Sequence, residues 1–72
     1  MVRSMKITSF RQVQMLVNAA SKIPEEIGVH DGNGSVADAK SILGLMSLDY
    51  SRPVNIVSES ESAVVNCLNA VM

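Results

Sequence analysis

Residues 9–24, SFRQVQMLVNAASKIP, carry the clearest structural signal in this chain of 72 residues. Ser9 and Gln12 match a capping box, in which each side chain hydrogen-bonds a free backbone N–H at the start of a helix. Pro24 has no N–H to donate and clashes with the preceding turn, so the helix should end before it. The apolar residues between them recur at three- and four-residue spacing and predict one inward helix face: Phe10, Val13, Leu16, Val17, Ala20 and Ile23.

Short strands are predicted on both sides of this helix. Residues 2–8 place Met5 and Ile7 on one face and polar residues on the other, which is the alternation of an edge strand. Residues 25–39, EEIGVHDGNGSVADA, predict two strands joined by a tight turn, because the Gly and Asn residues in DGNG tolerate the positive φ that hairpin turns require. The chain should therefore form a hairpin directly after the first helix.

Residues 41–48, SILGLMSL, predict a helix of about two turns that Ser41 would cap. Gly44 inside it either weakens this prediction or implies close packing, since glycine costs about 1 kcal/mol against alanine within a helix. Apolar residues occupy positions 42, 43, 45, 46 and 48 and wrap most of the way round, so a helix this short cannot bury them all. Exposed Ile, Leu and Met side chains next to each other would form a docking patch for another protein.

The chain should close with a strand and a helix. Val54 and Ile56 of VNIVS would point inward in the strand, and Ser58 with Glu61 matches a second capping box. The closing helix would turn one apolar face inward: Ala63, Val64, Cys67, Leu68 and Val71. The order strand, helix, two strands, helix, strand, helix predicts an α+β fold, with helices on one face of a mostly antiparallel sheet and residues 1–72 forming a single domain.

Composition narrows the class of function. The net charge is −1, the six Lys and Arg residues are scattered, and the aromatic residues are one Phe and one Tyr, so nucleic acid is not an expected partner. No apolar run approaches the ~18 residues of a membrane span, and no charged-then-apolar leader begins the chain, so no membrane association is expected. A single cysteine cannot form an internal disulfide, and we expect a reducing, cytoplasmic setting.

No constellation of catalytic residues stands out. The only histidine, His30, lies beside Asp31 at the predicted turn, and no second histidine or nearby cysteine supports a metal site. Cys67 falls on the apolar face of the last helix and should be a buried, inert thiol. We therefore expect no enzymatic activity, no cofactor and no metal. Two interpretations of Ser41 stay open: a plain helix cap and a phosphorylation site.

Residues 38–50, DAKSILGLMSLDY, closely resemble the segment around the regulatory serine of HPr, the small phosphocarrier of the bacterial sugar phosphotransferase system. The resemblance implies an open-faced β-sandwich, in which three helices cover one face of a four-stranded antiparallel sheet. It further implies that Ser41 matches the serine phosphorylated by the HPr kinase/phosphorylase. Ile42, Leu43 and Met46 would match the apolar patch that meets partner proteins.

The resemblance breaks down where HPr carries its phosphate. That family bears it on a histidine in a GLHARPA-like motif just before the first helix, a position that falls near Ser9 in this chain. Arg11 would match the phosphate-site arginine, whereas Gln12 stands where the proline would be. A serine cannot form a phosphoramidate, and a neutral hydroxyl is a poor acceptor without a base. The family includes a catabolite-repression paralogue that lacks the active histidine and keeps the regulatory serine.

We therefore expect an HPr-like regulatory or docking protein without histidine phosphotransfer. Its partners would be proteins of the phosphotransferase system or a transcriptional regulator, and an HPr kinase if Ser41 is modified. Two alternatives stay open: a working phosphocarrier with an atypical acceptor, and a structural or oligomerisation domain that retains only the fold.

Overall fold

Four strands and three helices follow one another in the order that the sequence predicts. They are seen in a computed structural model, which describes residues 1–71. The strands are β1 (Val2–Met5), β2 (Gly28–His30), β3 (Val36–Asp38) and β4 (Val54–Val57). The helices are α1 (Phe10–Ser21), α2 (Ile42–Met46) and α3 (Glu61–Val71). Both β1 and α2 are shorter than predicted. None of the helices in this part of the chain is long and apolar enough to cross a membrane.

The strands form one antiparallel sheet in the order β1-β4-β2-β3. Met5 lies opposite Val54, and Val29 lies opposite both Ile56 and Ala37. Side chains alternate between the two faces of a strand, so these five residues share one face, and all of them are buried beneath the helices. The predicted α+β fold, with three helices on one face of a four-stranded antiparallel sheet, is confirmed.

The core between the helices and the sheet is aliphatic. Within residues 1–71 no aromatic side chain is buried, and the core consists of Val, Ile, Leu, Met and Ala side chains with one cysteine. α1 and α3 pack against each other, and Leu16, Ala20, Val64 and Cys67 are their most deeply buried members. Cys67 is buried, as predicted, and its burial raises the pKa of the thiol.

The start of α1 differs from the prediction in two ways. Ser9 does cap the helix, since its Oγ accepts the N–H of Gln12 at 3.4 Å, but Gln12 Oε1 accepts the N–H of Thr8 at 2.7 Å rather than that of Ser9. Phe10, predicted to face inward, is 51% exposed, because the first turn of α1 projects beyond the buried stripe that begins at Val13. An aromatic ring therefore lies at the surface directly after the cap.

The second predicted capping box is wrong. Ser58 is buried, and its hydroxyl donates to the carbonyl oxygen of Glu26 at 2.8 Å and accepts the N–H of Ser60 at 3.2 Å. Ser60 Oγ accepts the N–H of Ala63 at 3.3 Å and so caps α3 instead. A buried hydroxyl needs a hydrogen-bond partner, and Ser58 finds one by joining the end of β4 to the segment before β2.

Candidate functional site

α2 presents two apolar side chains to solvent. Leu43 is 78% exposed and Met46 is 56% exposed, whereas Leu45 is fully buried and Ile42 is half-buried against the core. The prediction that so short a helix cannot bury all of its apolar residues is therefore confirmed. We call Ile42, Leu43 and Met46 the α2 patch. Ile42 also borders a shallow depression with residues of α1, so the patch adjoins that helix.

Ser41 is the N-cap of α2, as predicted. Its backbone is extended, its Oγ accepts the N–H of Gly44 at 3.2 Å, and its carbonyl oxygen accepts the N–H of Leu45 at 3.0 Å. The side chain is exposed while its hydroxyl caps the helix. The preceding turn is fixed by Asp38, which accepts the N–H of Lys40 at 2.9 Å through Oδ1 and the N–H of Ser41 at 2.9 Å through its carbonyl oxygen.

Gly44 allows α2 to lie close to the sheet. A Cβ atom placed on Gly44 would lie 3.4 Å from the Cβ of Ala37 in β3 and 3.3 Å from Ser41 Oγ, both tight contacts. Close packing, rather than a weak helix, is therefore the reason for a glycine at this position. The fully buried Leu45, next in sequence, anchors the helix in the core.

The C-terminal end of α2 is held by Tyr50. The Tyr50 hydroxyl donates to the carbonyl oxygen of Leu45 at 2.5 Å, and Ser47 Oγ donates to that of Gly44 at 2.7 Å. Burial, and after it the negative charge of Asp31, raises the pKa of Tyr50, so the hydroxyl keeps the proton that it donates. A helix of five residues is far shorter than the about 12–15 residues that isolated helices need, so these contacts are what define α2.

Asp31 ties the hairpin turn to the loop after α2. Its Oδ1 accepts the N–H groups of Asn33 and Ser35, and its Oδ2 accepts the N–H of Asp49, all at 2.9 Å. These hydrogen bonds, that from Asp49 foremost, lower the pKa of Asp31. Gly34 completes the turn with a φ of 86°, the only positive φ in residues 1–71 and one that suits glycine.

A side-chain link joins the same two loops. Asn33 Nδ2 donates to Asp49 Oδ2 at 3.0 Å, and Arg52 Nη2 donates to Asn33 Oδ1 at 2.9 Å. Hydrogen bonds from Ser51 are the largest cause that lowers the pKa of Asp49. We call Asp31, Asn33, Asp49 and Arg52 the Asp31 cluster. An Asx turn at Asp31 could have been inferred from DGNG, but the bond to Asp49, 18 residues away, has no local sequence signal.

Ser9 lies in an apolar groove of about 400 Å³ where the start of α1 meets the end of α2. The groove is lined by Ile7, Thr8, Ser9, Phe10, Val13, Met46 and Tyr50. The structure thus brings Ser9 together with one member of the α2 patch. The other predicted site residues lie outside the lining of this groove: Arg11, which is exposed in the first turn of α1, and Ser41, Ile42 and Leu43.

The groove lining holds no side chain that could activate Ser9. Its polar side-chain groups are the hydroxyls of Thr8, Ser9 and Tyr50, and it contains no histidine, lysine or carboxylate. Ser9 Oγ accepts the N–H of Gln12, and Thr8 Oγ1 donates to Gln12 Oε1 at 3.1 Å. A serine hydroxyl is a weak nucleophile unless a base removes its proton, and no lining residue can act as that base.

His30 lies on the other side of the sheet from the helices. It is the last residue of β2, follows the inward-facing Val29, and sits opposite Val36 and Asn55. It borders a separate depression of about 620 Å³ that includes Glu25 and other polar residues but not Ser9. Within residues 1–71 no group of three His, Cys, Asp or Glu side chains is arranged to hold a metal ion.

Comparisons with known proteins confirm the family resemblance and the fold. A family model described as the PTS HPr component phosphorylation site matches residues 7–71. The fold is similar to the crystal structure of HPr-C-His from Thermoanaerobacter tengcongensis, with a TM-score of 0.82 and 27% sequence identity, covering 99% of this chain and 90% of that one. No curated protein is similar enough to count as a relative. The chain therefore belongs to the HPr family, the phosphocarrier component of the sugar phosphotransferase system.

Proposed function

We propose that this protein is a docking regulator of the HPr family that has lost histidine phosphotransfer and is controlled at Ser41. The observation that carries the proposal is a contrast between two sites. Ser9 has no activating base in its groove, whereas Leu43 and Met46 of the α2 patch stay exposed on a firmly held helix. Ser9 falls near the position where family members carry the phosphorylated histidine. The protein would thus keep a surface for partners without the group that passes phosphate on.

The loss of phosphotransfer rests on Ser9 and its surroundings. An imidazole nitrogen can take a phosphoryl group directly, whereas a hydroxyl must first be deprotonated. His30 does not replace it, since it lies on the other face of the sheet. When the protein is incubated with enzyme I and phosphoenolpyruvate, we expect no transfer of acid-labile phosphate. Stoichiometric labelling of His30 would instead support the alternative of a phosphocarrier with an atypical acceptor.

The docking role rests on the α2 patch. Leu43 points into solvent with most of its side chain, so it adds little to the stability of the fold and is available for a partner. Members of the family interact with proteins of the phosphotransferase system, and we propose such a protein or a transcriptional regulator as the partner. Leu43→Asp should abolish capture of the partner and leave the unfolding midpoint within experimental error of the parent. Val36→Asp, at an exposed apolar position on the open face of the sheet, is the matched control and should bind normally.

A structural or oligomerisation role makes the opposite prediction for the same variant. If the exposed Leu43 and Met46 side chains pack between copies of the chain, the protein should be an oligomer by size exclusion with light scattering. Leu43→Asp should then lower its mass. If the protein is a monomer and Leu43→Asp changes neither its mass nor its capture of the partner, the docking role of the α2 patch is contradicted.

Control at Ser41 rests on its exposure and on its place beside the patch. A phosphate on Ser41 Oγ would add about −1.5 to −2 charge next to Ile42 and Leu43, which disfavours an apolar partner and favours one with basic groups. Incubation with an HPr kinase and ATP should therefore phosphorylate the protein and change its partner affinity.

The matched control for this experiment is Ser41→Asn. Asparagine caps helices about as well as serine but cannot be phosphorylated, so this variant separates modification from capping. It should remain unlabelled and bind like the unmodified protein. The switch is contradicted if the kinase labels an ordinary HPr in the same reaction and leaves this protein unmodified.

A further inference from the structure

The only two aromatic residues of the chain line the same groove. Phe10 and Tyr50 both border the groove over Ser9, while the core described within residues 1–71 contains no buried aromatic side chain. Tyr50 has a structural task, because its hydroxyl holds the end of α2. Phe10 is 51% exposed, so burial in the core does not explain why an aromatic residue stands at this position.

The place of Phe10 in the sequence is informative. In the GLHARPA-like motif of the family, the residue after the phosphorylated histidine is alanine, whereas here Ser9 is followed by phenylalanine. A methyl group beside the acceptor position is thus replaced by an aromatic ring. That ring forms one wall of the groove, and Met46 and Tyr50 belong to the same lining.

Phosphoryl transfer is sensitive to such a change. The donor must bring its phosphorus in line with the acceptor atom at about 3–3.5 Å, and small displacements from this geometry cost much of the rate. A donor protein reaching for the side chain at position 9 would therefore have to pack against the neighbouring Phe10 ring or displace it. The ring lines the same groove as position 9 and is half exposed, so it lies where an approaching protein would make contact.

We infer that Phe10 is a specificity-determining residue that closes the Ser9 groove to the phosphoryl donor of the phosphotransferase system. This inference rests on the proposed loss of phosphotransfer and adds a second, independent barrier to it. Ser9 removes the acceptor, and Phe10 excludes the donor. Steric exclusion of one class of partner is a common way in which closely related interfaces are kept apart.

Restoring the acceptor separates the two barriers. The variant Ser9→His/Gln12→Pro supplies the histidine and the proline of the motif and keeps Phe10. The variant Ser9→His/Gln12→Pro/Phe10→Ala also removes the ring. With enzyme I and phosphoenolpyruvate, we expect the second variant to be labelled at least about tenfold faster than the first. Ser9→His/Gln12→Pro/Val36→Ala, which trims an exposed apolar residue on the open face of the sheet, should behave like the first.

The inference is overturned if the variant that keeps Phe10 is labelled as fast as the one that lacks it. It is equally overturned if both stay unlabelled while thermal unfolding shows both to be folded, because Phe10 would then not be what closes the groove. Neither result bears on the unsubstituted protein. Labelling of the unsubstituted protein is the outcome that would overturn the proposed function itself.

Discussion

Ser9 and Ser41 occupy the same structural position, the N-cap of a helix, yet their surroundings differ in every other respect. Their hydroxyls accept the N–H three residues ahead at 3.4 Å and 3.2 Å, respectively. Ser9 borders an apolar groove that a half-exposed aromatic ring also lines, whereas Ser41 stands at the start of a short helix with exposed apolar side chains. Because the cap geometry itself is nearly the same, the two serines differ in the residues that lie beside them.

The largest expected effect comes from removing the side chain that anchors α2. Leu45 is fully buried, so Leu45→Ala should lower the free energy of unfolding by about 2–5 kcal/mol through lost burial and the cavity left behind. Leu43→Ala, two residues earlier and largely exposed, should cost less than about 0.5 kcal/mol. Urea denaturation of both variants provides the measurement. Equal losses would show that α2 is not oriented as described.

Tyr50 belongs to both regions, because it lines the Ser9 groove and holds the end of α2. Tyr50→Phe keeps the ring and removes the hydroxyl, so we expect a loss of about 1 kcal/mol from the missing hydrogen bond to the Leu45 carbonyl. Hydrogen exchange should quicken for the amides of α2 and hardly change for those of α1. A uniform increase over both helices would mean that Tyr50 acts on the fold as a whole.

Removing the cap hydroxyl of Ser9 or Ser41 should change the free energy of unfolding less than Leu45→Ala does. Ser41→Ala should cost about 1 kcal/mol, and Ser41→Asn should recover most of it because asparagine can cap. Ser9→Ala should cost less, since its hydrogen bond is longer and α1 has twelve residues and a large buried face to stabilise it. Chemical denaturation decides the order, and a larger loss for Ser9→Ala would reverse this comparison of the two sites.

The two carboxylates of the Asp31 cluster should make the stability of the protein depend on pH in acid. Near neutral pH they should cause no such dependence. The pKa values of Asp31 and Asp49 are lowered in the folded protein by hydrogen bonds to the ionised carboxylates. Their contribution is therefore complete above the unfolded pKa near 3.8 and is lost as the pH falls through the folded values. In urea denaturation from pH 7 to pH 2, Asp31→Asn should flatten the acid limb. An unchanged acid limb would contradict this assignment.

The elements that could be predicted from the sequence are those whose signal is local. Periodicity placed the inward faces of α1 and α3, and hydroxyl residues before apolar runs placed the caps at Ser9 and Ser41. The errors at Phe10 and Ser58 arose because a local pattern does not show what surrounds a residue in the fold. Phe10 matches the helical spacing but lies beyond the covered part of the sheet, and Ser58 matches a cap but bonds to Glu26.

The candidate site likewise has one feature that a local pattern predicts and others that it does not. Exposure of the α2 patch could be inferred because five apolar positions cannot all be buried by one short helix. The groove and the Asp31 cluster could not, since they join residues that lie far apart along the chain, such as Phe10 with Met46 and Asp31 with Asp49. Neither pairing has a sequence signal without an alignment or a structure.

The function that we propose is a docking protein of the HPr family without phosphotransfer. The most direct measurement is the intact mass of the protein after incubation with enzyme I and phosphoenolpyruvate, with an ordinary HPr treated in parallel. We expect the HPr to gain a phosphate and this protein to gain none. A stoichiometric phosphate on this protein, acid-labile at His30 or acid-stable at Ser9, would contradict it.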